Sequence, residues 1–125
     1  MTRLGAVQLR IMKVLWDEGE VTARRITDAL SETSPIAHST VQTLLRQLEA
    51  KKAVEHRAAD RTFLFRALIR EDEVAGSVAQ DVLSRVFRGS ISGLVAYLLD
   101  TEEVSTEEIQ RLRELVNAKA EEESK

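Results

Sequence analysis

The sequence contains no cysteine and only two histidines. Without cysteine there is no disulfide framework, no thiolate nucleophile and no Cys-based zinc or iron–sulfur site. A reducing compartment, the cytoplasm, is the expectation. His38 and His56 do not make a spaced ligand set. No carboxylate pair has a distinctive catalytic spacing, and no glycine-rich loop suggests a nucleotide site. An enzyme, a metal centre and a cofactor are therefore not expected. No apolar run approaches the roughly 18–20 residues of a membrane span, so no membrane partner is expected. The N-terminal stretch MTRLGAVQLRIMKVLW is too charged and too interrupted for a signal peptide.

What remains is a chain of 125 residues and 14.0 kDa with net charge −3. That length fits one compact domain, or a small domain with an appended module, and leaves no room for a large lidded cleft. A negative total argues weakly against nucleic acid, but the charge is unevenly spread. Residues 1–66 carry 11 basic and 8 acidic side chains, and residues 67–125 carry 7 and 13. A mildly basic first half joined to an acidic second half suggests two jobs.

Val7, Ile11, Val14 and Leu15 recur at helical spacing between Ala6 and Trp16, with Gly19 placed for a left-handed cap. Trp16 reads as an anchor between core helices. Thr22 is an N-cap candidate for a second helix carrying Ala23, Ile26, Ala29 and Leu30, ended by the Ser31–Pro35 stretch. A third helix from about Ser39 or Thr40 to Lys51 or Lys52 turns Val41, Leu44, Leu45 and Leu48 inward. Val54–Arg57 and Thr62–Arg66 then read as a hairpin turning through Ala58–Arg61, where Asp60 can bond its own backbone. Phe63 and Phe65 share one face of it. Three short helices and a hairpin make a winged helix-turn-helix, whose third helix can enter a major groove.

The exposed chemistry suits that use. Thr40, Gln42, Thr43, Arg46 and Gln47 offer the hydroxyl, methyl, amide and guanidinium groups that read base edges. Arg57 and Arg61 fall at the expected hairpin tip, and Lys51 and Lys52 are further phosphate candidates. His38 precedes the third helix, where a phosphate contact or plain exposure is expected.

The second half reads as amphipathic helices. Val74, Val78, Val82, Val86 and Phe87 form a stripe ended by Gly89. Ile91, Leu94, Val95, Leu98 and Leu99 mark a short helix. Ser105 and Glu108 fit a capping box before Ile109, Leu112, Leu115 and Val116. The layer is too thin to bury its own apolar faces, which a twofold-related copy would solve. The expected architecture is mainly α: a winged-helix DNA-binding domain over residues 1–70, a helical dimerisation domain over 71–121 and a frayed tail at 122–125.

Three stretches carry a family resemblance: IMKVLW followed by EVTARRI, STVQTLLRQL with the wing after it, and EEVSTEEIQRLREL. Together they resemble the penicillinase repressor family, which includes the methicillin-resistance and copper-responsive repressors, over about Leu4 to Ala118. The resemblance implies a homodimeric winged-helix repressor of a palindromic operator. It implies operator reading by Thr40, Thr43 and Arg46, a wing contact at Arg61, and interlocked dimer helices at Ile91, Leu94, Val95 and Leu98. Antibiotic-responsive members lose activity when a protease cuts an Asn–Phe bond, and the pair aligned with it here is Tyr97–Leu98. A sensor protease is thus an open partner. Copper-responsive members use a C-terminal Cys-x-Cys pair that this chain lacks, so that response is not expected. Two other readings stand beside the repressor: a winged protein-interaction module without specific DNA binding, and an activator or nucleoid-type binder. Arg46 and Thr43 decide the first, by whether they project together with Arg61.

Overall fold

The computed structural model describes residues 3–124, with helices α1 (Ala6–Glu18), α2 (Ala23–Ser31), α3 (His38–Ala50), α4 (Glu71–Arg85), α5 (Ile91–Thr101) and α6 (Thr106–Glu123). Strands β1 (Val21–Thr22), β2 (Val54–Ala59) and β3 (Thr62–Ala67) form one antiparallel sheet in the order β1-β3-β2. The chain divides into two compact units, Met1–Ala79 and Gln80–Lys125.

The first unit owns the core. Ile11, Met12 and Leu15 of α1, Ile26 and Leu30 of α2, Val41, Leu45 and Leu48 of α3, and Ala53 and Val54 are all buried. Each large aliphatic side chain so buried contributes about 1.5–3 kcal/mol relative to exposure. Leu44, expected inside, is only partly buried at the edge of this cluster. The Trp16 indole Nε1–H donates to the Ile69 carbonyl at 2.9 Å. The anchor therefore reaches past the helices to the segment that follows the wing.

Thr22 caps α2, its hydroxyl accepting from the Arg25 N–H at 3.1 Å. The far end of α2 is closed by Arg10, whose Nη2 donates to the Leu30 carbonyl at 3.0 Å. Gly19 has a positive φ of 78°, as its position suggested, but its ψ of −140° is not that of a left-handed helix. It swings the chain into β1, a two-residue strand too short to show any periodicity. Helix α3 begins at His38, a residue earlier than expected, and its N-cap Ala37 makes no side-chain bond.

Helix α3 ends in a Schellman motif. The Ala53 N–H reaches the Leu48 carbonyl and the Lys52 N–H reaches Glu49, at 2.9 and 3.0 Å. This puts Lys52 at φ 63°, a conformation that suits glycine. Lys52→Gly is expected to raise stability by about 0.5–1 kcal/mol, read as a higher midpoint in urea unfolding. An unchanged or lower midpoint would show that the lysine carries no strain there.

The hairpin is longer and tighter than its expected form. Its strands run to Ala59 and from Thr62, joined by Asp60 and Arg61 at φ 47° and 68°. Two successive positive φ values make a type I′ turn, whose twist matches that of paired strands. Strand register pairs His56 with Phe65 and Ala58 with Phe63, so these share one face, and Glu55–Arg66 and Arg57–Leu64 share the other.

The second unit is differently built. Helices α5 and α6 contain no buried residue, and neither does α4. Ser90 caps α5 by accepting from the Gly93 N–H at 2.9 Å, and Ser105 caps α6 by accepting from the Glu108 N–H at 3.1 Å. The last helix continues to Glu123, through residues expected to fray, with the Lys119 ammonium near Glu122 and Glu123. No helix among the described residues is long and apolar enough to cross a membrane.

Candidate nucleic-acid interface

The eight residues expected to meet DNA divide into two groups. Gln42, Thr43 and Arg46 lie on the exposed face of α3 and are close together. The Thr43 hydroxyl donates to the Ser39 carbonyl at 3.0 Å and accepts from Arg46 Nη2 at 3.1 Å. The guanidinium is thus held along the helix by its own neighbour, and the Thr43 methyl is the threonine's least committed group. Thr40 is exposed one turn away. Arg61 occupies the wing turn and is exposed.

Gln47, Lys51 and Arg57 are tied into the fold instead. Gln47 Oε1 accepts from Gln8 Nε2 at 3.0 Å. Lys51 Nζ donates to Gln8 Oε1 at 2.9 Å and to the Arg3 carbonyl at 2.7 Å. Gln8, 7% exposed, also accepts from the Gly5 N–H at 3.0 Å, so one amide joins the start of α1 to α3. Sequence reasoning missed Gln8, because a lone glutamine on an apolar stripe reads as surface.

Arg57 is not at the hairpin tip but within β2. Its Nε and Nη2 donate to Glu20 Oε2 and Oε1 at 2.8 and 2.7 Å, a bidentate pair on the outer face of the sheet. The hydrogen bond from Arg57 holds the Glu20 carboxyl below its ordinary range and raises the guanidinium. A carboxyl lowered in the folded state stabilises the fold above its unfolded pKa, and that contribution is lost as pH falls through the folded value. At neutral pH Arg57 is neutralised within its own chain.

A cleft of about 560 Å³ opens between α2, α3 and the hairpin. Gln42 and Arg46 line one side, Thr62 and Phe63 another, so α3 and the wing border the same space. His38 is placed there by Thr27. The Thr27 hydroxyl donates to the Ala23 carbonyl at 2.9 Å, so His38 Nδ1, 2.8 Å away, carries the proton of their bond. His56 Nδ1 likewise donates to the Glu49 carboxylate at 2.7–2.8 Å. Both histidines have structural partners, and among the described residues no group of three His, Asp or Glu side chains is placed to hold a metal ion.

Arg24 also lines the cleft and was not among the expected site residues. A signal for it existed. Thr22 caps α2, so Arg24 and Arg25 lie in its first turn, where positive charge opposes the helix dipole. Arg25 is compensated by Glu18, at 2.8 and 3.0 Å. Arg24 has no such partner among the described residues.

The helices expected to meet a second copy carry exposed apolar side chains. Val78 is 49% exposed, Ile91 67%, Leu98 43% and Val116 65%. Val82, Leu94, Val95, Ile109 and Leu112 are half-buried within their own chain. Tyr97 and Leu98 lie in the last turns of α5, where their carbonyls accept from Thr101 Oγ1 and the Glu102 N–H, both at 2.9 Å. Cutting the bond between them requires this end of the helix to unwind.

A helix-turn-helix core closed by a hairpin wing, with a polar α3 face beside that wing, defines a winged-helix protein. The sequence profile of the penicillinase repressor family matches residues 4–118, and the chain belongs to that family. It is 31% identical over 114 residues to the transcriptional regulator BlaI of Mycobacterium tuberculosis, covering 90% of this chain and 82% of that one. It is 27% identical over 114 residues to the penicillinase repressor of Bacillus licheniformis, covering 91% and 89%. Among solved structures it resembles the monomeric form of Bacillus licheniformis BlaI in complex with the blaP half-operator. That likeness has 29% identity and a TM-score of 0.51, and covers 58% of this chain and 88% of that one.

Proposed function

We propose that the protein is a homodimeric transcriptional repressor that binds a palindromic operator in double-stranded DNA. The observation that carries this reading is the α3 face, where Arg46 is oriented by Thr43 beside Gln42 and borders the cleft shared with the wing. In this reading α3 enters the major groove, Arg46 and Gln42 read base edges, and Thr40 and Thr43 offer a hydroxyl and a methyl. Arg61 meets the backbone or minor groove from the wing. Gln47 and Lys51 fix the register of α3 against α1, so they act on DNA through position more than through contact. The apolar surface of α4, α5 and α6 packs against a second copy, and twofold symmetry of the protein matches twofold symmetry of the site.

Footprinting of the purified protein on genomic fragments tests this reading. A protected inverted repeat, with half-sites about one helical turn apart, is the expected result. Uniform weak binding without a preferred site would overturn it.

The Glu20–Arg57 pair supplies a second test. Glu20→Gln removes the carboxylate and frees the guanidinium for phosphate. Affinity for any duplex is expected to rise, and the slope of log K against log salt to steepen by about one per protomer. An unchanged slope would mean that the outer face of the wing does not approach the backbone.

A further inference from the structure

The cleft between α2, α3 and the hairpin is only partly accounted for by operator binding. Operator DNA at its rim would use Arg24 for a phosphate and Arg46 and Gln42 for base edges. It has no use for the floor, which is apolar and aromatic. Leu45 is buried, Phe65 packs on the core, and Phe63 is 53% exposed at the cleft wall. The His56 ring lies against both phenylalanines, with centroids 4.6 Å from Phe63 and 5.5 Å from Phe65. Its tilt is held by the bond to Glu49.

The volume and the lining select the ligand. A cleft of about 560 Å³ lies within the range of small-molecule sites. Its walls offer flat rings for stacking. Its rim offers two guanidiniums, neither paired with a carboxylate among the described residues, unlike Arg25 and Arg57 on the neighbouring elements. Arg25 and Arg57 are spent on Glu18 and Glu20 in bidentate pairs. Arg24 has no carboxylate partner among the described residues, and Arg46 is bonded only to a neutral hydroxyl. The single carboxylate lining the cleft, Glu49, is committed to His56. The cleft therefore combines an aromatic floor with uncompensated, fork-shaped positive charge, which matches a carboxylate on a planar ring.

We infer that this cleft binds a planar aromatic carboxylate, with its ring on Phe63, Phe65 and His56 and its carboxylate on Arg24 and Arg46. Such a ligand engages Arg46 and Gln42 on the side from which they would leave for a base pair. Ligand and operator then compete. This antagonism rests on the operator-binding reading above, whereas occupancy of the cleft does not.

The test uses the full-length protein without DNA, titrated with 2-naphthoate and followed by amide chemical shifts. Saturable shifts centred on Arg24, Gln42 and Phe63 are expected. The neutral counterpart 2-naphthylmethanol should bind at least about tenfold more weakly, since a charge-assisted pair is absent. Arg24→Gln and Phe63→Ser, both exposed positions that the core does not need, should each weaken naphthoate binding by about tenfold. Shifts that rise linearly without saturation, equal binding of the neutral compound, or unchanged binding by both variants would overturn the assignment. A second titration measures operator affinity with and without naphthoate. Occupancy of the cleft should weaken operator binding, and operator should weaken naphthoate binding by the same factor. If naphthoate binds as expected and no operator is bound at all, the repressor reading fails and the cleft assignment stands. If operator binds and naphthoate does not, the reverse holds.

Discussion

A chain carrying Ile91→Glu together with Leu98→Glu should sediment as a monomer at concentrations where the parent protein is a dimer. Both side chains lie on α5, at 67% and 43% exposure within one chain, so the substitutions disturb little in the isolated protomer. Leu94 is a less clean probe because it is half-buried in its own chain. In a dimer built on these helices, four carboxylates would enter an apolar contact without partners. Each uncompensated buried charge costs several kcal/mol, and a dissociation constant raised on the order of a hundredfold or more follows. The effect on DNA should be larger than the loss of any single contact. Two linked reading heads bind the second half-site intramolecularly, an advantage of about 10²–10⁴ that separate monomers forfeit. The first unit has its own buried core, so the variant should keep its helical content and its weak half-site affinity. A variant that remains dimeric at low concentration would move the interface away from α5. A variant that is monomeric yet binds the full operator as tightly as the parent would separate dimerisation from operator recognition.

The reasons these elements were visible in the sequence, and others were not, are physical. Helices α1, α2 and α3 were legible because one face of each is buried, and burial enforces a 3.6-residue repeat on Ile11, Leu15, Ile26, Leu30, Val41, Leu45 and Leu48. Caps at Thr22 and Ser105 were legible because a hydroxyl before an apolar run has one favoured use. Strand β1 escaped because two residues carry no period, and its position depends on the ψ that Gly19 adopts. The hairpin turn was legible within Ala58–Arg61, but its narrowing to Asp60 and Arg61 was not, because an Arg at positive φ is uncommon and only pairing along Ala59 and Thr62 enforces it. In the site, residue type identified Arg46, Gln42 and Thr43 as chemistry, but only the fold separates a free cation from a paired one. Arg57 and Glu20 are 37 positions apart, and Gln47 and Gln8 are 39. No local pattern encodes such partners. Arg24 shows the converse: a local rule broken at a helix start, without a partner among the described residues, marks a cleft-lining cation that spacing alone passes over.

Arg46→Ala should abolish discrimination at one base pair of each half-site while leaving the fold intact. The side chain is exposed and its one described bond is to Thr43, so stability should change by less than about 0.5 kcal/mol. A bidentate guanidinium–guanine contact is worth about 1–3 kcal/mol of discrimination. A homodimer makes it twice, so the specific site should weaken by about 2–6 kcal/mol and nonspecific DNA by much less. Three variants separate the roles. Arg46→Lys keeps the charge but loses the planar fork, and should behave like alanine in sequence preference and like the parent in salt dependence. Thr43→Val keeps the β-branch and removes the hydroxyl that positions the guanidinium. Its loss should be smaller and should largely disappear in an Arg46→Ala background, since the hydroxyl acts through Arg46. If Arg46→Ala instead lowers affinity equally on every sequence and reduces the salt slope by about one per protomer, Arg46 is a phosphate contact. Base reading would then fall to Gln42 and the Thr43 methyl, and the adenine and thymine content of the protected half-site would become the decisive observation.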